Sequence, residues 1–270
     1  MQAGVAEAGG LPGGHVPSLG ILRAMQPREI APGVYGLGSE QVNWYLIEED
    51  GKLSAVDAGL PGFARHLEED LSGLGLRLAD VEAVVLTHSD GDHTGVAPKL
   101  RAGGARVLIH AADEATLRKP GPKGGDASVP NVLKNLWRPA ALKILGHTLR
   151  HGGGKPAGLE GVETYAGGDV LDVPGRLRAI HTPGHTPGHC ALLAEPRRVL
   201  FAGDALIDHH LVTKGRGPQI MPRFTNVDSA QALASLDAIA AVDDDADLVL
   251  FGHGDPWRGG ARAAVASARA

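Results

Sequence analysis

Cysteine is nearly absent from this sequence, because Cys190 is the only one among 270 residues. A single cysteine excludes a framework of internal disulfides and is typical of a reducing compartment. Long apolar runs are also missing, since no segment approaches the roughly 20 residues that a membrane-spanning helix requires. The N-terminus shows no charged segment followed by an apolar one, as a secretory signal would. We therefore expect a cytoplasmic protein without a membrane partner.

Basic clusters are the second absence. The formal net charge is -5, and the sequence has no long run of lysine and arginine to neutralise phosphates, which argues against a nucleic-acid partner. Aromatic residues make up only 4%, whereas 39 glycines and 18 prolines predict many turns and loops. With 43% hydrophobic and 21% charged residues, the composition is typical of a globular protein.

The chain divides into a tail and one domain. Residues 1–28 are rich in glycine, alanine and proline without a clear period, which predicts a flexible N-terminal tail, and residues 29–270 are predicted to form the domain. Within it, residues 113–165 interrupt the strand pattern with a predicted helical insertion, broken at Pro139. Two roles fit this insertion equally: a lid over a site, or an ordinary pair of surface helices.

A β-hairpin is predicted early in the domain. Two apolar segments, Val42–Glu48 and Lys52–Val56, flank a turn that contains Asp50-Gly51, which is a strong hairpin signal. Asp57 follows the second strand. It has two readings, either as a group that orients a metal ligand or as a turn-forming residue before Gly59.

The densest group of polar residues follows the next predicted strand. The apolar run Val81–Leu86 ends at Thr87, and His88, Asp90, Asp92 and His93 come within the next six residues. Imidazole and carboxylate groups together suit Zn, Fe(II), Mn or Co better than Ca or Mg, which prefer oxygen ligands alone. This segment therefore predicts a transition-metal site.

The same arrangement of strand and ligand recurs three times. Apolar segments lead into a histidine-rich turn, into Ala-Gly-Asp and into Gly-His-Gly, and the candidate residues there are His181, His185, His189, Asp204 and His253. Ligands that follow the ends of several strands converge at one edge of a sheet, so we expect these side chains to meet.

These motifs closely resemble those of the metallo-β-lactamase superfamily. The first motif of that family is H-x-H-x-D-H, and this chain reads His88-Ser-Asp90-Gly-Asp92-His93; the similarity extends over about residues 30–258. The resemblance implies an α/β (α+β) fold, the four-layer αββα sandwich, with a dinuclear metal site at one edge of its sheets.

The resemblance also implies a ligand set. His88, Asp90 and His185 would bind the first metal, and Asp204 would bridge both metals. The second metal would be bound by Asp92, His93 and His253. His189 flanks the family's ligand position and is expected to support the ligands rather than to bind metal.

One departure concerns the first metal. The family usually has a histidine where this chain has Asp90, and a carboxylate there adds negative charge. Three ionised carboxylates against two dications leave room for one hydroxide. We therefore expect two divalent metal ions, with zinc as the favoured metal and iron or manganese as the alternatives.

This site predicts a hydrolase for a small-molecule substrate. A metal-bridging hydroxide would attack an ester, lactone, thioester or amide, and Asp92 would orient it and carry a proton to the leaving group. The chain ends soon after His253, so we expect no helical domain like the one that glyoxalase II uses for its thiol ligand. Two alternatives stay open. One is an oxidoreductase like the persulfide dioxygenases, with one iron at the His88, His185 and Asp204 positions, and the other is a metal-binding homologue without activity.

Overall fold

The structure is a computed structural model that describes residues 25–39, 41–154, 156–209, 215–242 and 245–270. The predicted tail lies mostly outside the described residues, but its last part does not. A first strand spans Met25–Ala31 and pairs with the next strand, so the tail prediction was wrong for residues 25–28. Pro27 and the charged Arg28 are atypical of a strand, so the sequence did not predict one here. Both residue types are tolerated because the strand lies at the edge of its sheet.

Seven strands of the described residues form the larger sheet in sequence order. They are β1 (Met25–Ala31), β2 (Val34–Gly38), β3 (Asn43–Glu49), β4 (Lys52–Val56), β5 (Val81–Val85), β6 (Arg106–His110) and β7 (Glu163–Tyr165). Strands β1 to β4 are antiparallel, and β4 to β7 are parallel. The predicted hairpin is confirmed as β3 and β4, joined by Asp50 and Gly51, which both have positive φ as a tight two-residue turn requires.

A second sheet packs against the first. Its strands are β8 (Leu177–His181), β9 (Cys190–Ala194), β10 (Val199–Gly203) and β13 (Leu248–Phe251), in the order β13-β10-β9-β8. A separate ribbon pairs β11 (Ile207–His209) with β12 (Arg216–Gln219). The core between the sheets joins residues such as Ile47 and Val85 to Phe201 and Leu250.

Helices cover the outer face of each sheet. They are α1 (Leu67–Gly73), α2 (Ala97–Ala102), α3 (Glu114–Arg118), α4 (Val129–Leu133), α5 (Pro139–Arg150), α6 (Ser229–Ala240) and α7 (Ala261–Arg269). Leu71 and Leu100 pack on the larger sheet, and Leu236 and Val265 pack on the smaller one. The four layers are therefore helix, sheet, sheet and helix, and the predicted αββα sandwich is confirmed.

The helical insertion is shorter than its predicted bounds. Within residues 113–165, α3, α4 and α5 are helical, and α5 begins at Pro139 as expected. The last three residues instead form β7, which pairs with β6 and completes the sheet. Among the described residues, no helix combines the length and apolar content needed to cross a bilayer.

Candidate metal centre

Four strands of the two sheets end beside one another, and each is followed by candidate ligands. The segment after β5 carries His88, Asp90, Asp92 and His93; those after β8, β10 and β13 carry His185, Asp204 and His253. The imidazoles of His88 and His93 are fully buried and their ring centroids lie 4.2 Å apart. The structure thus brings all seven predicted ligands together at one edge of the sandwich.

The first group of donors surrounds His185. Ligand atoms of His88, His185 and Asp204 all lie within 4.8 Å of one another. The Oδ2 atom of Asp90 lies 3.0 Å from Nε2 of His185 and 3.6 Å from Nε2 of His88. Asp90 therefore reaches the first group despite replacing a histidine.

The second group contains Asp92, His93 and His253, again with donor atoms within 4.8 Å of one another. Asp204 lies between the two groups. Its Oδ1 is 3.4 Å from Nε2 of His93, and its Oδ2 is 3.3 Å from Nε2 of His253 and 3.5 Å from Nε2 of His185. Each group thus has an oxygen of Asp204 within reach.

These spacings fit divalent metal ions. Donors around a tetrahedral zinc ion lie about 3.3 Å apart, given bond lengths of about 2.0–2.1 Å. In addition, Nε2 of His88, Nε2 of His93 and Oδ1 of Asp204 are buried without a hydrogen-bond partner among the described residues. Buried polar atoms normally have partners, so three unpartnered atoms within the two donor groups fit a site built to bind cations.

Each candidate ligand histidine is oriented by a hydrogen bond of its Nδ1 atom. The acceptors are Thr87 Oγ1 at 2.9 Å for His88, Asp57 Oδ2 at 2.9 Å for His93, Asn226 Oδ1 at 3.0 Å for His185, and the backbone carbonyl of Gln41 for His253. When Nδ1 donates to these oxygens, the lone pair of Nε2 is directed at the site, as metal binding requires. This tautomer is assigned from the hydrogen-bond network.

Asp57 satisfies both readings that the sequence left open. Its φ of 59° lies in the left-handed region, just before Gly59 with φ 51°, so it does form a turn. Its carboxylate also contacts His93, accepts a bond from the backbone N–H of Thr87 at 2.8 Å and accepts one from Thr87 Oγ1 at 2.9 Å. Asp57 thereby connects the supports of two ligands.

His189 stands behind Asp204. Its Nε2 accepts a hydrogen bond from the backbone N–H of Asp204 at 3.0 Å, and its Nδ1 lies 2.8 Å from Oγ1 of Thr182. Burial, aided by the neighbouring His88, holds the pKa of His189 well below its ordinary value, so the ring is neutral and can accept this bond. Both ring nitrogens are therefore used within the protein.

Two further residues escaped the sequence analysis. Asp113 is fully buried and accepts bonds from Ser89 N–H at 3.0 Å, Gly188 N–H at 2.7 Å and Thr186 Oγ1 at 2.7 Å, which ties the first ligand segment to that of His185. It lies three residues after the end of β6, so the search for polar residues that follow strand ends could have found it. Asn226, which orients His185, lies in a loop without such a signal.

Charges in the site are strongly coupled. Burial lowers the pKa of His93, but the carboxylates of Asp204 and Asp57 outweigh it and raise the pKa to about 10. In the same way Asp204 and Asp92 overcome burial and raise the pKa of His253 to about 9. Burial raises the pKa of Asp204, but His253 and His93 outweigh it, so the pKa lies well below its usual value and the carboxylate is ionised.

A cavity of about 390 Å³ opens beside the donors. Its lining includes Asp90, Asp92, His185, Asp204 and His253, together with Lys123. It also includes apolar residues of α4, of α5 and of the segment 221–225: Val129, Val132, Leu133, Ile144, Met221 and Phe224. The insertion therefore forms a wall of the site.

Comparisons with known proteins agree with this geometry. A family model described as the metallo-beta-lactamase superfamily matches residues 37–253. The chain is 28% identical over 247 residues to a probable metallo-hydrolase, YflN, of Bacillus subtilis, which covers 86% of this chain and 87% of that protein. It is 33% identical over 211 residues to a hydroxyacylglutathione hydrolase of Cupriavidus taiwanensis, which covers 76% of this chain but only 60% of that enzyme.

A solved structure gives the same result. The crystal structure of a metallo-beta-lactamase family protein from Thermus thermophilus matches with a TM-score of 0.62 and 26% identity, over 88% of this chain and 79% of that one. These relatives support a general hydrolase role. Because the family match includes every candidate ligand from His88 to His253 and most of both sheets, this chain belongs to the metallo-β-lactamase superfamily.

Proposed function

We propose that the protein is a hydrolase that holds two divalent metal ions, with zinc as the favoured metal, and cleaves a small ester, lactone, thioester or amide. The observation that carries this proposal is the presence of two separate donor groups, around His88 and His185 and around His93 and His253, with Asp204 between them. Bound divalent metal ions would supply a water activated to hydroxide near neutral pH and would polarise the substrate oxygen.

The residues of the chain have separable tasks in this reaction. Asp57, Thr87 and Asn226 orient the ligand imidazoles, and His189 fixes the backbone of Asp204. The carboxylate of Asp92 is 29% exposed and lines the cavity, so it can orient the attacking water, accept its proton and pass the proton to the leaving group. The apolar residues of α4 and α5 line the cavity beside these groups.

A second candidate is an oxidoreductase with one iron. His88, His185 and Asp204 form a set of two histidines and one carboxylate, which is typical of non-haem Fe(II) oxygenases and would suit persulfide oxidation. The equally complete second group argues for the hydrolase. It also argues against a homologue without activity, because a decayed site would not be expected to keep seven competent donors.

Metal content tests the proposal. We expect about two zinc ions per chain by elemental analysis of the zinc-reconstituted protein, and about one after either His88→Ala or His253→Ala. His66→Ala is the matched control, because the side chain of His66 is 45% exposed and pairs with Glu69 instead. Hydrolysis of at least one of a panel of simple esters, lactones, thioesters and β-lactams should disappear with a chelator and return with zinc.

Two outcomes contradict the proposal. One iron per chain, with oxygen uptake on addition of a persulfide, would replace it with the oxidoreductase. Failure to take up any metal on reconstitution would exclude both enzymes.

A further inference from the structure

We propose that the substrate carries an uncharged apolar acyl chain, and that the cavity beside the metal centre binds this chain. The inference rests on the proposed hydrolase function and names its substrate class. It starts from the apolar wall of the cavity, formed by Val129, Val132 and Leu133 of α4 together with Ile144 of α5 and Phe224, which line the same cavity as the candidate ligands. Ligand pockets are mostly apolar with a few polar groups at the reacting end, and this cavity has that division.

The charged side chains around the cavity offer no partner to an anionic acyl chain. Lys123 is the one permanently charged cation among the described residues that line it, and its Nζ is held 2.5 Å from Oδ2 of Asp90 and 3.2 Å from the carbonyl of Thr225. The other charged groups there, Asp92 and Asp204, are carboxylates. A carboxylate or phosphate that lies along the apolar lining, away from the metals, would meet no available cationic side chain among these residues.

Among the other polar groups on the lining, Oε1 of Gln41 has no hydrogen-bond partner among the described residues, whereas Thr225 Oγ1 donates to the carbonyl of Pro222. Nε2 of His147 lies 3.1 Å from Oγ of Ser39, and its ring packs against that of His151. Hydroxyl or amide groups that lie against the apolar part of the lining would lose hydrogen bonds to water on entry, whereas a hydrocarbon chain would not.

The cavity edge provides apolar surface for a chain of some length. Val129 and Leu133 line the cavity, yet they remain 49% and 60% exposed, so the apolar wall continues to the surface. Removing this surface from water on binding would favour longer chains. With the usual transfer free energy, each added methylene should raise kcat/KM roughly fourfold until the wall is covered.

The first test uses acyl chain length. The zinc-loaded full chain is assayed with thioesters and aryl esters that carry acetyl, butyryl, hexanoyl, octanoyl and decanoyl groups, and kcat/KM should rise by at least a hundredfold from acetyl to octanoyl. Succinyl esters should be poorer than butyryl esters. Hydrolysis that is independent of chain length, or a preference for the succinyl ester, would overturn the inference.

Substitutions in the cavity wall test where the acyl chain binds. Ile144→Trp fills the cavity and should lower the octanoyl-to-acetyl ratio of kcat/KM at least tenfold. Leu142→Trp is the matched control, because Leu142 lies two residues earlier on α5, is 53% exposed and is not part of the lining. Val132→Asp, which places a charge in the wall, is a second variant that should lower the same ratio. An unchanged ratio in both wall variants would overturn the inference.

Binding without turnover separates this inference from the proposed function. Octanohydroxamate should bind the zinc-loaded protein at least tenfold more tightly than acetohydroxamate by calorimetry, and Ile144→Trp should abolish the difference. If no ester is hydrolysed but this difference in affinity is found, the proposed function fails and the binding site for the acyl chain stands. Equal affinities for the two hydroxamates would overturn the binding site for the acyl chain, even if esters are hydrolysed.

Discussion

The ammonium nitrogen of Lys123 lies 2.5 Å from Oδ2 of Asp90, and 3.0 Å from Nε2 of His185. Burial raises the pKa of Asp90, but Lys123 and His185 outweigh it, so the pKa falls well below its usual value and the carboxylate is ionised. The resemblance to the superfamily motif implies a histidine at this position, which is neutral when it binds a metal. Asp90 paired with Lys123 is also neutral as a unit, so the two residues together replace the charge, although not the shape, of that histidine.

This pairing changes the charge balance expected from the sequence. Three carboxylates, Asp90, Asp92 and Asp204, were expected to face the metals with three negative charges. With the ammonium of Lys123 included, the net charge of the donor set is two negative, which two dications exceed by two positive charges. The site therefore has room for a hydroxide and for an oxyanion that develops on the substrate.

Lys123→Met should tighten metal binding at the first donor group. The substitution removes a positive charge close to Nε2 of His185 and keeps the apolar stem, so the gain should be about tenfold to a hundredfold in affinity (~1–3 kcal/mol) at an effective dielectric constant of about 20. The affinity is measured by competition with a chromophoric chelator. Lys119→Met, at an exposed position of the same segment, is the control and should change nothing.

A double-mutant cycle shows whether the effect comes from the pair. Asp90→His alone leaves the charge of Lys123 without its carboxylate partner and should weaken the first metal, so Lys123→Met should tighten metal binding more in the Asp90→His background than in the wild type. Additive effects of the two substitutions would contradict the pairing, because residues in contact are expected to couple by at least about 0.5 kcal/mol.

The strand ends that carry ligands could be predicted from the sequence. Strands β5, β8, β10 and β13 are largely apolar runs that stop at a polar group, which is a pattern typical of buried strands. Strand β9 was not predicted, although all of its residues are buried. Its five residues directly follow a turn rich in proline and histidine, and so short a run has no periodicity of its own.

The contacts that tune the site could not be predicted. Lys123 lies in a glycine- and proline-rich stretch, and its approach to Asp90 depends on the path of the whole insertion. Asn226 reaches His185 from the segment before α6. Such contacts depend on how loops cross the edge of the sandwich, and single-sequence patterns carry no information about loop paths.

Metal binding at the second donor group should release protons. Because the pKa values of His93 and His253 are raised to about 10 and about 9, both imidazoles carry an extra proton at pH 7.5 in the metal-free protein. A histidine must be neutral to bind a metal, so about two protons should leave when this group fills. Calorimetry in buffers of different ionisation enthalpy measures this number. The apparent affinity should rise with pH up to about 9 and level off above about 10.

The stability of the metal-free protein should change in the opposite direction. A histidine whose pKa is raised in the folded state stabilises the fold below its unfolded pKa of about 6.5, and this contribution is lost as the pH rises through the folded value. Urea unfolding should therefore show a decline that is complete near the pKa values of His253 and His93, about 9 and about 10. Release of no protons at pH 7.5 would contradict both expectations.

Asp57→Asn should weaken metal binding about tenfold to a hundredfold, the usual effect of losing a carboxylate behind a ligand histidine. Asparagine tolerates the left-handed backbone of this position, so the substitution removes the charge beside His93 without straining the turn. Asp50→Asn is the matched control, since Asp50 also has a positive φ of 52° but lies in the exposed hairpin turn. Equal metal affinities for the two variants would show that Asp57 only forms a turn.

Asp113→Asn should destabilise the protein by roughly 3 kcal/mol, because the buried carboxylate accepts three hydrogen bonds and an amide nitrogen in its place would face donors. Since these bonds hold the ligand segments of His88 and His185 together, metal affinity should fall with stability. Urea unfolding of the metal-free protein isolates the first effect, and chelator competition measures the second. Asp172→Asn, at an exposed position, is the control. A loss of stability with unchanged metal affinity would show that Asp113 supports the fold but does not set the distance between the two ligand segments.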